Sequence, residues 1–256
     1  MRMTPPVAEG KELAHPDRKT IQSLFNAISS KYDFLNSFLS FGLHHYWRRK
    51  LVLSAFAPPL PLPKMGGGIE GGRILDLGVG TGKSLATFLQ THQFERAVGC
   101  DFSDKMLRKA KVRLGPSAEL VACDFHELPF PDGTFDLVTG SFILRIVQNM
   151  SRFISEVGRV LSPNGRAVFL ELTRPKNRFA WKFFYQPYLK FCIPSVGYLF
   201  TRHDHAYQFL SQSIEAFIEP EDLKKEFLSA GFREVSIKPL SFGSVAILQG
   251  KHRGAS

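Results

Sequence analysis

Apolar positions along this chain change their period as it proceeds, and the changes divide it into blocks. From Asp17 to Leu53 they recur at Ile21, Leu24, Phe25 and Ile28, then at Tyr32, Leu35, Phe38 and Leu39, the spacing of helices with one buried face. Pro58-Pro59-Leu60-Pro61-Leu62-Pro63 and Gly66-Gly67-Gly68 can continue neither a helix nor a strand, so a linker or surface loop follows. Short apolar runs then alternate with helical stretches. Strands are expected near residues 73–77, 97–100, 119–122, 136–140 and 166–172, and helices beginning near Lys83, Ser103 and Met150. That alternation predicts a parallel sheet covered by helices, an α/β architecture. A late pair, Val235 to Pro239 and Ser244 to Gln249, brings the expected strand count to seven. Between Pro175 and Phe217 the chain is too aromatic for a connector, with Trp181, Phe183, Phe184, Tyr185, Tyr188 and others interleaved with Lys and Arg. A lid over the carboxyl ends of the strands, where open sheets bind ligands, is the expectation. The predicted organisation is a mobile tail (1–17), N-terminal helices with the linker (18–71) and a catalytic domain (72–253) carrying a helical lid insertion (176–216).

The first expected strand runs straight into a glycine turn, R-I-L-D-L-G-V-G-T-G from Arg73 to Gly82. Gly78, Gly80 and Gly82 allow the backbone to turn tightly and to pass close to a ligand. Asp101 lies about 20 residues further on, where such a sheet places an acid to accept hydrogen bonds from ribose hydroxyls. A dinucleotide site is disfavoured: G-x-G-x-G departs from the G-x-G-x-x-G that presents a helix N-terminus to a pyrophosphate, and Asp76 would repel that anion. The same acid suits a cation. S-adenosylmethionine carries an ammonium and a sulfonium, and D-L-G-V-G-T-G resembles the first motif of the class I, Rossmann-like methyltransferases. In that likeness Asp124 and Phe125 follow the third strand, where an acid and an apolar ring read adenine. Phe102 follows the ribose acid, and Met106 faces adenine or serves as an ordinary core residue. Asp136, in a turn entering the fourth strand, reads as structural.

Composition narrows the class. At 256 residues with 44% hydrophobic content, one α/β domain with extensions is the simplest count. Cys100, Cys123 and Cys192 are odd in number and form no C-x-x-C, which argues against a disulfide framework and against structural zinc; no metal is expected. Cys100 and Cys123 read as small buried residues, and a reducing cytoplasm fits. No signal peptide or membrane span is evident. The net charge of +10 favours polyanions, nucleic acid or an anionic membrane face. The fourth strand ends in Gly140-Ser141-Phe142-Ile143-Leu144-Arg145 rather than an N-P-P-Y-type motif, and no cysteine follows strands four or five closely. Nucleic-acid partners are therefore not expected.

Further motifs carry a closer likeness. Lys31-Tyr32-Asp33, Leu35-Asn36, Leu39-Ser40, Gly42, His44 and Trp47 follow K-Y-D-x-M-N-x-x-x-S-x-G-x-H-x-x-W. Ser141 to Arg145 follows S-F-G-L-R-N, Arg159 to Arg166 follows R-V-L-K-P-G-G-R, Leu170 to Thr173 follows L-E-F-S, and Tyr207 to Ile214 follows the end of S-Y-x-Y-L-x-E-S-I. From about Phe25 to Gly250 the chain resembles the ubiquinone/menaquinone biosynthesis C-methyltransferases. Leu35, Ile143, Ile146, Arg202-His203 and Leu248 depart from the pattern, and are expected to cluster on the acceptor side.

The resemblance implies S-adenosylmethionine-dependent methylation of a ring carbon of a polyprenylated quinol, a demethylmenaquinol or a 2-methoxy-6-polyprenyl-benzoquinol, with S-adenosylhomocysteine as the other product. Tyr32 would close over the cofactor, and Thr81 and Ser141 would line its methyl region. Arg145 is the expected stabiliser of a developing phenolate, the alternative being a salt bridge to an acid such as Glu156. His203, His205 and Tyr207 are candidate bases. A polyprenyl tail implies peripheral contact with the inner face of the cytoplasmic membrane, and a homodimer is compatible. Two alternatives stay open: another hydrophobic phenolic or lipid acceptor, and a silent cofactor-binding scaffold.

Overall fold

The computed structural model describes residues 18–56, 71–196 and 212–253. The expected tail and most of the Pro/Gly linker lie outside them. Three helices come first, α1 (Arg18–Ile28), α2 (Tyr32–Leu39) and α3 (Leu43–Phe56). The sheet then begins with β1 (Gly72–Leu77), whose Ile74, Leu75 and Leu77 are wholly buried, as expected for a strand covered on both faces. α4 (Lys83–Thr91), β2 (Phe94–Asp101), α5 (Asp104–Leu114), β3 (Glu119–Ala122), β4 (Phe135–Ser141), α6 (Met150–Val160) and β5 (Leu161–Leu172) follow in alternation. Helix starts follow side-chain chemistry: Ser103 accepts from Met106 N–H to open α5, and Asn149 accepts from Arg152 N–H to open α6. The helix Pro220–Ser229 and the strands β6 (Phe232–Leu240) and β7 (Val245–His252) close the fold.

All seven expected strands are present, in the order β3-β2-β1-β4-β5-β7-β6. β1 to β5 pair in parallel, while β7 runs antiparallel to both β5 and β6. The order reverses between β1 and β4, so a crevice opens at their carboxyl ends. One core cluster includes Phe153, Phe169 and Phe227, another Leu51, Phe88 and Val168. Truncating any of these buried rings to alanine costs about 3–5 kcal/mol. Asp136 is structural, as expected: its carboxylate accepts from Arg73 N–H and side chain and from Ser162 Oγ.

A third cluster joins the N-terminal helices to the segment expected as a lid, packing Ile28 and Leu35 against Leu189, Ile193 and Ile214. The described part of that segment forms helical turns at Arg178–Ala180, Trp181–Tyr185 and Tyr188–Cys192, and Tyr188 Oη donates to the Leu39 carbonyl. Leu35 and Leu248 are core residues, 1% and 3% exposed, and Arg202 and His203 lie outside the described residues. One expectation is corrected. Cys100 and Cys123 are buried as predicted but are joined as a disulfide, Cα atoms 6.0 Å apart. The parallel pairing of β2 with β3 brings the two strand ends side by side across a separation of 23 residues, which a count of cysteines does not reveal.

Candidate active site

The crevice at the β1/β4 switch is built around the glycine turn. Gly78 and Gly80 have φ of 62° and 55°, in the left-handed region that side chains disfavour. Gly78 has a second reason to lack a side chain: a Cβ there would lie 2.2 Å from Ile143 Cγ2. Asp101, at the end of β2, accepts from Gly80 N–H at 2.9 Å and Ser103 N–H at 2.8 Å, one bond to each oxygen. Burial nevertheless raises its pKa to about 6, against the pull of those amides. Asp76 is more isolated. It is 1% exposed, and neither oxygen has a hydrogen-bond partner among the described residues, the Leu85 amide approaching without closing a bond. Burial pushes its pKa up to about 8, Arg48 opposing and Asp101 adding to the rise.

A narrow cavity of about 30 Å³ beside this turn is lined by Tyr32, Gly78, Gly80, Asp101, Phe102 and Met106, and by Phe125 and Ser141. An adjoining one of about 50 Å³ holds Asp124 with Phe102 and Phe125; Asp124 accepts from both His126 N–H and its ring. The sequence-predicted cofactor residues are thus largely brought together. Asp76, Thr81 and Gly82 are in neither lining. Gly82 opens α4 in a left-handed conformation, and Ser141 Oγ accepts from Ser84 Oγ at 2.9 Å. Thr81 Oγ1 donates to Asp33 Oδ1 at 2.7 Å, and Arg113 donates to the other oxygen at 2.7 Å and to the Thr81 carbonyl. Burial raises the Asp33 pKa, but the Thr81 and Arg113 bonds and the Lys83 charge hold it below the usual carboxylate range. Asp33 therefore fastens α2 to the glycine turn.

The residues present fit S-adenosylmethionine. Asp76 is an orphaned buried carboxylate suited to a cationic group, each Asp101 oxygen keeps a lone pair for a hydroxyl, and Phe102, Met106 and Phe125 give apolar walls for a flat base.

A larger cavity of about 380 Å³ lies between α2, α3 and the lid, with Trp47, Phe142, Trp181, Tyr185 and Tyr188 among its walls. Tyr32 and Phe142 line both this cavity and the narrow one, so the two spaces meet at these rings. Arg145 enters the larger cavity from the turn Leu144–Ile146 after β4. Its partner is Glu171 of β5, not Glu156, which instead takes Leu128 N–H at 2.7 Å and Arg159 at 2.8 Å. Both members of the Arg145–Glu171 pair are buried. Ile143 and Ile146 both line the narrow cavity, and Ile143 Cγ2 lies against Gly78. His203, His205 and Tyr207 lie outside the described residues. No sequence signal singles out a role for Asp33, His44, Arg48 or Glu171 beyond the membership of Asp33, His44 and Glu171 in the quoted motifs.

The profile of the ubiE/COQ5 methyltransferase family matches residues 13–252. The chain belongs to that family. It is 35% identical over 228 residues to the ubiquinone/menaquinone biosynthesis C-methyltransferase UbiE of Desulfotalea psychrophila, covering 89% of this chain and 88% of the other. It is 36% identical over 234 residues to the demethylmenaquinone methyltransferase of Thermotoga maritima, covering 91% and 96%. In fold it is similar to phosphoethanolamine N-methyltransferase 2 of Haemonchus contortus, solved in complex with S-adenosyl-L-methionine, with a TM-score of 0.62 and 12% identity over 91% of this chain and 60% of that one. As a member of the ubiE/COQ5 family the protein is an S-adenosylmethionine-dependent C-methyltransferase with the class I, Rossmann-like fold. No helix among the described residues is long and apolar enough to cross a membrane.

Proposed function

We propose that this family member methylates a ring carbon of a polyprenylated quinol, either a demethylmenaquinol or a methoxy-benzoquinol. The observation that carries the reading is the junction of the two cavities at Tyr32 and Phe142, with Arg145 in the wall of the apolar one. S-adenosylmethionine supplies an electrophilic methyl group when bound. Asp101 and Asp124, with Phe102, Met106 and Phe125, would hold and orient it; Tyr32 and Ser141 complete the cradle, Thr81 behind it ties the glycine turn to Asp33, and Asp76, which keeps its proton in the free protein, would release it to balance the cofactor's positive charge. The aromatic walls exclude water from the reacting face. A ring carbon is a poor nucleophile until an adjacent hydroxyl gives its proton to water, and the Arg145 guanidinium, fixed by Glu171, stabilises the resulting oxyanion by about 3 kcal/mol; once the carbon has taken the methyl group, its own hydrogen leaves to water as a proton and the ring is aromatic again. We read residues 72–253 as the catalytic domain and 176–216 as its lid.

A polyprenyl tail has to reach the cavity from a bilayer. Phe34, Phe38 and Phe41 on and after α2 and Phe179, Phe183 and Phe191 on the lid are exposed, and the chain is strongly basic. These two rims form the face that docks on anionic lipid at the inner side of the cytoplasmic membrane.

The test is an assay with labelled S-adenosylmethionine and two reduced, short-tailed rings, a demethylmenaquinol and a methoxy-benzoquinol. Transfer to either supports the reading and names the ring. Cofactor binding without transfer to both would contradict it.

A further inference from the structure

Phe142, the residue after β4, has a strained backbone. Its φ is 63°, in the left-handed region that a bulky side chain avoids and a glycine enters freely. An outlier of this kind persists only where its surroundings fix it. Phe142 N–H donates to the Leu170 carbonyl at 2.7 Å, which carries the pairing of β4 with β5 one residue beyond Ser141. The side chain is fixed as well. The Trp47 ring meets it edge-on with centroids 6.3 Å apart, and Trp47 is itself anchored through Nε1, which donates to Ser241 Oγ at 2.8 Å.

The ring held in this way stands at the junction of the two cavities. Phe142 borders both of them, as Tyr32 does. Its neighbours Trp47 and Arg145 border only the larger of the two, and Arg145 Cζ lies over the phenyl ring, 6.0 Å from its centroid. Phe142 is half-buried, whereas Ile143, Leu144 and Arg145 after it are buried, so part of its surface faces the open space on either side. A backbone that belongs to the junction thus presents a phenyl ring beside the guanidinium.

That placement bears on a choice the chemistry above has to make. An ionised quinol is nucleophilic at two atoms, its oxygen and the ring carbon next to the one that bears it. Most of the charge resides on oxygen, so charge alone favours a methyl ether. Attack on a sulfonium methyl is an in-line displacement, and alignment decides which atom makes it. On either route the nucleophile's electron pair forms the new bond, the methyl–sulfur bond breaks, and sulfur keeps that pair as a thioether. Only the carbon route then releases a ring hydrogen, as a proton, to water. Arg145 stabilises the oxyanion whichever atom attacks, so the choice needs a second element.

We infer that the Phe142 ring is this element: it stands between the oxygen held by Arg145 and the cofactor cavity, and leaves the neighbouring ring carbon to meet the methyl group through the junction. The inference rests on the quinol reading above. The phenyl face suits the task. It attracts the guanidinium, offers an oxyanion no donor, and is itself electronegative, so the oxygen is not drawn past it toward the methyl group. Phe142 is a positioning residue that sets the site of methylation, and the strained φ is tolerated because a glycine, though relaxed there, would remove the ring.

The test is the ratio of labelled aryl-methyl to labelled methoxy product, read by NMR, that the wild type and two variants form anaerobically from ¹³C-methyl-labelled S-adenosylmethionine and the two reduced, short-tailed rings named above. The wild type is expected to give the aryl-methyl product alone. Phe142→Gly, which removes the ring at a φ that glycine tolerates, is expected to form methoxy product as on the order of a tenth of the total or more, with turnover reduced. Phe142→Leu, which keeps bulk but not the flat electronegative face, is expected to form a smaller, measurable share. Thermal melts establish that each variant is folded before its ratio is read. A purely structural role would slow turnover and leave the ratio at the wild-type value; that result in either folded variant would overturn the inference while leaving the quinol reading in place. A labelled methoxy product from the wild type, or no labelled ring product from either ring, would overturn both.

Discussion

At the scale of single residues, two buried acids set the pH behaviour of the protein. From about pH 4 the folded chain keeps protons that the unfolded chain has released, on Asp101 up to about pH 6 and on Asp76 up to about pH 8, so these groups make stability fall as pH rises. His44 works in the opposite sense, lowering stability as pH falls below about 6.5, because the folded ring refuses a proton that the unfolded ring takes. The decline from about pH 6.5 to 8.5 therefore belongs chiefly to Asp76. Asp76→Asn is expected to remove that slope in thermal melts and to raise stability by roughly 1–3 kcal/mol at pH 8.5, while weakening S-adenosylmethionine binding at least tenfold by calorimetry. A variant that kept both the slope and the affinity would show that Asp76 does not serve the cofactor. Arg145 has a structural partner in Glu171 beside the chemical role proposed for it. Arg145→Ala strands Glu171 as a buried unpaired charge and is expected to cost about 3–5 kcal/mol of stability, together with a turnover loss of about 100-fold, with cofactor affinity near normal. Arg145→Met with Glu171→Gln restores stability in denaturant melts without restoring turnover.

At the scale of elements, what could be read from the sequence depended on how local the determining contacts are. The strands were legible because Ile74, Leu75 and Leu77, or Leu137 and Val138, are buried on both faces and so form continuous apolar runs. The glycine turn and the acid that meets it, Asp101, were legible because about 20 residues of βαβ unit separate them in any such sheet. The Arg145–Glu171 pair, the disulfide and the Asp33–Thr81 bond were not legible, since each joins chain segments that only the sheet order or the docking of a helix brings together. Ile143 shows the same limit, as its contact with Gly78 joins the turn after β4 to the glycine turn. The N-terminal helices are held over the cofactor turn by a few such long-range bonds: Asp33 to Thr81 and Arg113, Gln22 to the Phe102 carbonyl, and Asn26 to Ser103. Asp33→Asn is expected to speed hydrogen exchange in α1 and α2 and to raise the dissociation rate of S-adenosylmethionine several-fold, with protection of β1 and β4 unchanged. Unaltered exchange in those helices would show that the lid cluster alone holds them in place.

At the scale of the whole molecule, the proposed docking on a bilayer rests on a basic chain with exposed aromatic rims beside the larger cavity. Replacing Phe179, Phe183 and Phe191 together by Ser is expected to reduce co-sedimentation with anionic vesicles at least tenfold, with turnover of a short-tailed, water-soluble ring little changed. Equal sedimentation of the variant and the parent would place the membrane face elsewhere. The central claim is that the methyl group goes to a ring carbon of a quinol, and the most direct measurement is NMR of the product formed from ¹³C-methyl-labelled S-adenosylmethionine and a reduced, short-tailed quinol. A labelled aryl-methyl resonance is the predicted result; a labelled methoxy resonance, or no label in the ring product, would contradict the claim.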